Sequence, residues 1–285
     1  METSLYGPDG FFVQQSPAAH FRTSVGLAGF AEAVRRLADR VDAALGFPDP
    51  FDVVDVGAAD GGLLDGLGQV PARWHLTGVD RNGRFTEEIP CVTGLLVANE
   101  WLDNVPLDVL LDGRLVEVDA SGQERPGQPA GELDLAWAAR WWPGADRVEI
   151  GRSRDEAWAG ALARVHRGLA VAIDYGHLTA DRRTTLTGYR DGRQVPPLPD
   201  GSCDLTAHVA LDSCAAATGA RLVSQREALQ VLEVGADRSD RHLPAADYLV
   251  ALQRAGQIRT LLDPAGLGGF TWLVQPVGIP DPLLR

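Results

Sequence analysis

The sequence contains no lysine: its 26 basic residues are all arginine, set against 39 acidic ones, for a net charge of −13. That balance argues against a surface built for polyanions, because nucleic-acid binding rests on basic patches that neutralise phosphates. An acidic surface repels DNA, RNA and anionic membranes and suits a basic partner, although it also keeps a protein soluble with no partner at all. No apolar run reaches the roughly 18 residues needed to span a bilayer, so membrane insertion is not expected. The opening "METSLYGPDGFFVQQ" has no basic stretch followed by an apolar one, so no leader is expected and the expected compartment is the cytoplasm. Cysteine is scarce. Cys91, Cys203 and Cys214 are odd in number and widely spaced, matching neither a disulfide framework nor a zinc site, and read as buried or incidental thiols. There is no P-loop, no Ser/His/Asp order and no metal-spaced histidine cluster, so no metal is expected. The oligomeric state is not legible.

What is present is ordinary for a globular chain: 285 residues, 45% hydrophobic and 23% charged, enough for one large core or a core with an appendage. Residues 26–45 place Phe30, Val34, Leu37, Val41 and Leu45 at three- and four-residue spacing, which predicts an amphipathic helix. "FPDP" breaks it and "FDVVDVG" follows as a buried strand. A short helix from about Leu63 precedes "RWHLTGVD", a second strand ending in Asp80. "GLLVANE" and "GLAVAIDYG" are a third and fourth strand, the latter preceded by a helix over "RDEAWAGALARV". Strands that alternate with helices and end in polar residues predict an α/β fold with a doubly wound parallel sheet. Later come a helix over "AHVALDSCAAATG", a strand over "RLVSQREA", a helix near 245–261 and a last strand "GFTWLVQPV".

The expectation is a single domain over 1–285, with its core sheet in about 50–111, 160–177 and 207–277. Two segments read as insertions. Residues 112–150 hold the aromatic run "WAARWWPGADRVEI" and are expected to form strands and hairpins beside the sheet. Trp137, Trp141 and Trp142 there read as insert core more readily than as a binding platform. Residues 178–206 are rich in Pro and Gly with little periodicity, and a long loop without structure of its own reads as a lid or as disorder.

Three stretches carry chemistry. In "VVDVGAADGGLLDGL" a strand feeds a helix through Gly57 and Gly61, which lets backbone approach a ligand at the carboxyl edge of a sheet. Asp80 ends the next strand, 19 residues past Gly61, where an acid suits ribose hydroxyls. Asp60 among the helix-opening amides repels a pyrophosphate and favours an uncharged or cationic ligand, such as the aminoacyl sulfonium part of S-adenosylmethionine. The plainer alternative is a tight turn with Asp80 capping a loop. "ANEWLDNVP" sets Asn99, Glu100 and Asp103 just past a central strand, where an acid can hold a guanidinium bidentately or simply cap a turn before Pro106. Asp174 and Tyr175 of "IDYG", with Asp204 and His208 of "CDLTAHV", are candidates to line the same crevice and touch substrate.

In this order, "HFRTS", "DVGAADG", "VANEWLDNVP", "AIDYG", "TLTGY" and "CDLTAHV" resemble the MidA-like S-adenosylmethionine-dependent methyltransferases, over about Gly10 to Val277. The eukaryotic members of that family are mitochondrial complex I assembly enzymes that methylate arginine. The resemblance implies a class I, Rossmann-like methyltransferase fold with a seven-stranded sheet, an antiparallel last strand and a small lobe formed by insertions. It implies that Gly57, Ala58, Asp60 and Gly61 hold the methionine part of S-adenosyl-L-methionine and Asp80 the ribose. Asn99 and Glu100 then face the transferred methyl, the segment around Thr23 and Ser24 closes over the cofactor, and Glu100 with Asp103 are the catalytic acids. The implied partner is a protein substrate, for instance a respiratory complex subunit.

Two departures stand out. Ala59 replaces a glycine of the family's loop. Only the 14 residues 81–94 separate Asp80 from Leu95, too few for the helix of about ten and strand of about five that usually build the adenine pocket. The leading reading is therefore an arginine-directed protein methyltransferase. The alternatives are a binding or assembly protein that keeps the fold without activity, and a small-molecule methyltransferase. A nicotinamide-dependent oxidoreductase is disfavoured by Asp60 and the incomplete glycine fingerprint.

Overall fold

A computed structural model of the chain describes residues 1–14, 23–81, 84–119, 121–235 and 245–284. His20, Phe21 and Arg22 of the "HFRTS" motif lie outside them. The chain divides into two compact units: Met1–Arg22, Glu100–Ala161 and Asp174–Ala220 form one, and Thr23–Asn99, Leu162–Ile173 and Arg221–Arg285 the other. The first unit thus draws on more of the chain than 112–150 and 178–206.

The second unit is a sheet with helices. The apolar run of residues 51–56 forms β1 (Phe51–Val56), followed by β2 (Trp74–Val79) and β3 (Val92–Asn99). The six-stranded sheet runs Arg221–Ser224, Thr271–Val277, Val165–Asp174, β3, β1, β2, with β2 on one edge. β1 pairs parallel with both β2 and β3, β3 pairs parallel with Val165–Asp174, and the two C-terminal strands pair antiparallel. Central strands covered on both faces are apolar almost throughout, and β1 and β3 are buried nearly end to end.

The helix Ala28–Leu45 turns Phe30, Val34, Leu37 and Val41 into this core, against Phe51, Val53, Leu95, Val97, Leu169 and Trp272. It stops where Gly46 takes a left-handed φ of 78°, at which glycine carries no Cβ penalty. Its one buried acid, Asp42, is satisfied by the Arg73 guanidinium and by Trp74 Nε1 at 3.1 Å. Most elements fall where the sequence places them. Three do not.

The sheet has six strands among the described residues, not the seven that the family resemblance implies. Between Asp80 and β3, the described residues hold only an isolated parallel bridge from Thr86 to Val79, because the segment is too short for a helix and a strand. "RLVSQREA" is a strand only as far as Ser224. There the Ser224 side chain accepts the Glu227 N–H, Glu227 accepts the Ser224 N–H, and the helix Gln225–Val231 begins. The S-x-x-E spacing of a capping box was present in the sequence but outweighed by the β-branched and apolar start.

In the first unit, strands Asp108–Leu111, Arg114–Val118, Glu124–Pro129 and Arg147–Ile150 form a four-stranded sheet. Only the end of the aromatic run, Arg147–Ile150, is a strand. Glu132–Trp141 is a helix, with Glu132 and Asp134 in its first turn and Arg140 in its last, as the helix dipole favours. Aromatic content suggested β structure, whereas the spacing of the buried face suits a helix: Trp137, Ala138 and Trp142 pack with Leu110, Val148 and Ile150. The tryptophans are therefore core.

Residues 178–206 are not structureless either. Thr187–Arg190 pairs antiparallel with Arg193–Val195 on one side and Asp204–Thr206 on the other. As the middle strand of three, Thr187–Arg190 should exchange its amide hydrogens slowly in the ligand-free protein. Exchange at the rate of an open loop would restore the lid expectation.

Candidate active site

Parallel register decides what meets at the sheet's carboxyl edge in the second unit. Val56 pairs with Val79 and with Ala98, so the loop after β1, Asp80 after β2 and Asn99 at the end of β3 leave the sheet side by side. The loop is held from below by the Val79 carbonyl, which accepts the N–H of Gly57 at 2.8 Å and of Ala58 at 3.1 Å. Gly57 and Gly61 take φ of 80° and 87°, which require glycine, and Ala59 also sits at φ 48°. The Asp80 carboxylate accepts the Ala59 N–H at 2.8 Å and so ties the two strand ends together. Asp60 is exposed and accepts the Gly62 N–H at 3.1 Å.

Thr23 and Ser24 lie on the segment that brings Val25 to Gly62, where an added Cβ would stand 3.3 Å from the valine. Ser24 is buried beside Gln225. Asp55 was not legible in the sequence. It is 3% exposed on β1, and burial, together with the Asp80 carboxylate, pushes its carboxyl up to about 7. Alternation along a buried strand gave it no distinctive signal.

In the first unit a second group of acids converges. Asp174 is fully buried, and its Oδ2 accepts the N–H of Leu102 at 2.9 Å and of Asp103 at 3.1 Å, capping the turn Leu102–Asn104. Asp103 Oδ2 accepts the Tyr175 hydroxyl at 2.5 Å and the Thr206 hydroxyl at 3.0 Å. Burial raises Asp103, raises Asp174 well above the usual carboxylate range with help from Asp103, and raises Asp204 to about 8, again with Asp103 contributing. Asp103 Oδ1 and Asp204 Oδ1 are buried and have no hydrogen-bond partner among the described residues.

The compensating cation is Arg154, 1% exposed, which donates to the carbonyls of Asp103, Val105, Ala207 and His208. Nothing local in the sequence marks it, since an arginine in the first turn of a helix reads as solvated. His208 is half-buried with its ring edge-on to Tyr175 at 5.4 Å, and burial lowers its basicity. Glu100, the first residue of this unit's second segment, sits at φ 52° and raises Asp174 electrostatically. Asp103, Asp174, Tyr175, Asp204 and His208 are therefore brought together, while Gly57, Ala58, Asp60, Gly61, Asp80 and Asn99 gather in the other unit. A cavity of about 610 Å³ in the first unit is lined by Glu2, Asp108, Asp134 and Arg152, and by none of the expected site residues. Among the described residues no cluster of His, Cys, Asp or Glu could hold a metal, and no helix is long and apolar enough to cross a membrane.

Comparison with known proteins gives this geometry a class. A solved structure of a COG1565 superfamily member from Burkholderia thailandensis, bound to S-adenosyl-homocysteine, matches with a TM-score of 0.79 and 21% identity over 99% of this chain and 88% of that one. A native structure of a COG1565 superfamily protein from the same organism matches at 0.78 and 23%, over 98% and 86%. At such identity the likeness is one of fold. No curated protein matches the sequence. The family model described as "Putative S-adenosyl-L-methionine-dependent methyltransferase" matches residues 68–229, more than half of the chain, and the chain belongs to that family. The matched stretch includes Asp80, Asn99, Glu100, Asp103, Asp174, Tyr175, Asp204 and His208 but begins after the glycine loop.

The cofactor is accordingly S-adenosyl-L-methionine, and the loop's chemistry fits it. Two adjacent acids, one of them held near 7 by burial and by the other, favour a ligand that brings positive charge, which the sulfonium and ammonium groups supply. Asp80→Ala is expected to weaken binding by about 1–3 kcal/mol through stranded hydroxyl partners; unchanged affinity by calorimetry would remove Asp80 from the site.

The raised acids also fix a sign for stability. Asp55 and Asp204 hold protons in the folded state that the unfolded chain has released above its carboxylate pKa near 3.8. Their contribution is therefore complete below that value and lost as pH rises through about 7 and about 8. His177, pushed down to about 4 by burial, acts oppositely but only between its folded value and the ordinary 6.5. From pH 6.5 to 8 stability should fall, each group contributing at most about 1.4 kcal/mol per pH unit. Denaturant titrations should show a shallower fall for Asp204→Asn; an identical fall would contradict the burial argument.

Proposed function

We propose that the chain transfers a methyl group from S-adenosyl-L-methionine to a guanidinium nitrogen of arginine in a protein, in the manner of the MidA-like enzymes it resembles. The observation that carries this reading is the pair of buried carboxyl oxygens, Asp103 Oδ1 and Asp204 Oδ1, without hydrogen-bond partners among the described residues. Buried acids are costly unless a cation or donors meet them, and a planar guanidinium offers both at once. The strand order, with the antiparallel pair at one edge, supports a class I methyltransferase arrangement with six strands among the described residues.

When bound, S-adenosyl-L-methionine supplies an electrophilic methyl group on a sulfonium. The chain's own residues have the remaining tasks. Gly57, Ala58, Asp60 and Gly61 seat the amino-acid portion, Asp80 takes the ribose hydroxyls, and Asn99 lies at the strand end where the chain passes directly into Glu100. Glu100 and Asp103 orient the guanidinium and pair its charge, which persists because its pKa exceeds about 12. Asp174 fixes the turn that carries Asp103, and Arg154 fixes the carbonyls around it. His208, kept neutral by burial, offers a proton acceptor on this side, although burial also makes it a weaker base. Positioning supplies most of the rate in such a displacement. A basic protein segment suits the acidic chain, and the family's work on respiratory complexes makes a subunit of one the proposed substrate.

A second reading, a binding or assembly protein without activity, is favoured by the lack of a further strand beyond β2 among the described residues. Glu100→Gln separates the two. It keeps shape, removes charge, and should spare cofactor binding while lowering methyl transfer at least tenfold, about 1.4 kcal/mol of transition-state stabilisation. Full activity in that variant, or label from the donor found on a carboxylate, a thiol or a small molecule, would contradict arginine methylation. Binding with no transfer to any acceptor would favour the second reading.

A further inference from the structure

We infer that Phe85 is a positioning residue for the ribose-binding acid, taking the place of a further element beyond β2, of which the described residues hold none; the inference rests on the methyltransferase reading above. Asp80 leaves the sheet on a segment with neither helix nor strand to hold it among the described residues. The Phe85 ring seats that segment. It lies in a notch between the opening of the helix Gly62–Gly66 and the surface of β2, made by two glycines. A Cβ at Gly78 would stand 2.7 Å from Phe85 Cδ1, and one at Gly61 would stand 3.1 Å from Cζ. No side chain fits under the ring at Gly78, whose backbone needs glycine for no other reason given by its φ.

From the ring the constraint runs to the carboxylate in two short steps. Thr86, the next residue, accepts the Asp80 N–H on its carbonyl at 2.9 Å and bridges Val79 in parallel register. Asp80 in turn accepts the Ala59 N–H at 2.8 Å, at the loop residue held at φ 48°. Ring, bridge, acid and loop form one chain of contacts, all within a single unit. Phe85 is half-buried, with the Arg84 guanidinium 5.3 Å from its ring centroid, and it is absent from the main core cluster. Truncating it therefore loosens Asp80 more than it weakens the fold.

The test is calorimetric titration with S-adenosylhomocysteine of wild type, Phe85→Ala, Phe85→Leu, Asp80→Ala and the Asp80→Ala/Phe85→Ala double variant, beside thermal unfolding without ligand. Phe85→Ala should raise Kd about tenfold, the order of one weakened hydrogen bond to ligand, and Phe85→Leu should raise it less. Because Phe85 acts through Asp80, the double variant should bind within about twofold of Asp80→Ala alone, a coupling that general destabilisation does not produce. Unchanged affinity in Phe85→Ala, or a full further loss in the Asp80→Ala background, overturns the role. Should Phe85→Ala not fold, Phe85→Leu in the same cycle decides. Wild-type protein that takes up no S-adenosylhomocysteine removes the methyltransferase reading itself, and this role with it.

Discussion

Asp55 and Asp80 lie together at the carboxyl edge of the parallel sheet, and Asp103, Asp174 and Asp204 lie together in the other unit, all but Asp80 almost wholly out of water. Burial disfavours the charged form of Asp55, Asp103, Asp174 and Asp204, and a neighbouring acid adds to this at Asp55, Asp174 and Asp204. A fold that keeps these four acids buried works against its own stability above neutral pH. The second group is partly offset by Arg154, whose donors are used on backbone carbonyls rather than on the acids themselves. The charge deficit that remains is what a cationic cofactor and a cationic substrate group would relieve.

The rest of the site is scaffolding for those acids. Parallel pairing brings the ends of β1, β2 and β3 level, so that one glycine loop, one acid and one amide emerge together. The Asp80 to Ala59 bond fixes the loop to the neighbouring strand, and Asp174 fixes the turn bearing Asp103. These contacts use carboxylates as backbone acceptors, which holds geometry without adding cations beside them.

How much was legible in the sequence follows from the range of each signal. The helix 28–45 and the strand ends at Val56, Val79 and Asn99 were legible because buried periodicity and glycine turns are local. The convergence of Asp103, Asp174, Tyr175, Asp204 and His208 was legible because each stands at a strand end or a strand-to-helix junction. Arg154, Asp55 and Phe85 were not. Their roles depend on what packs opposite them: carbonyls from two distant turns for Arg154, a neighbouring acid for Asp55, and two glycine-sized gaps for Phe85. The helix Glu132–Trp141 and the strands within 178–206 were misread because aromatic and Pro/Gly composition outweighed spacing.

The charge deficit beside the glycine loop can be measured directly. S-adenosylmethionine titrated calorimetrically into the protein at pH 7, in two buffers of different ionisation enthalpy, reports the protons exchanged on binding. Entry of a cation beside Asp55, whose carboxyl stands at about 7, should release a fraction of a proton, and Asp55→Asn should abolish that release while still binding. Binding with no proton release in the wild type, or with the same release in the variant, would contradict the account.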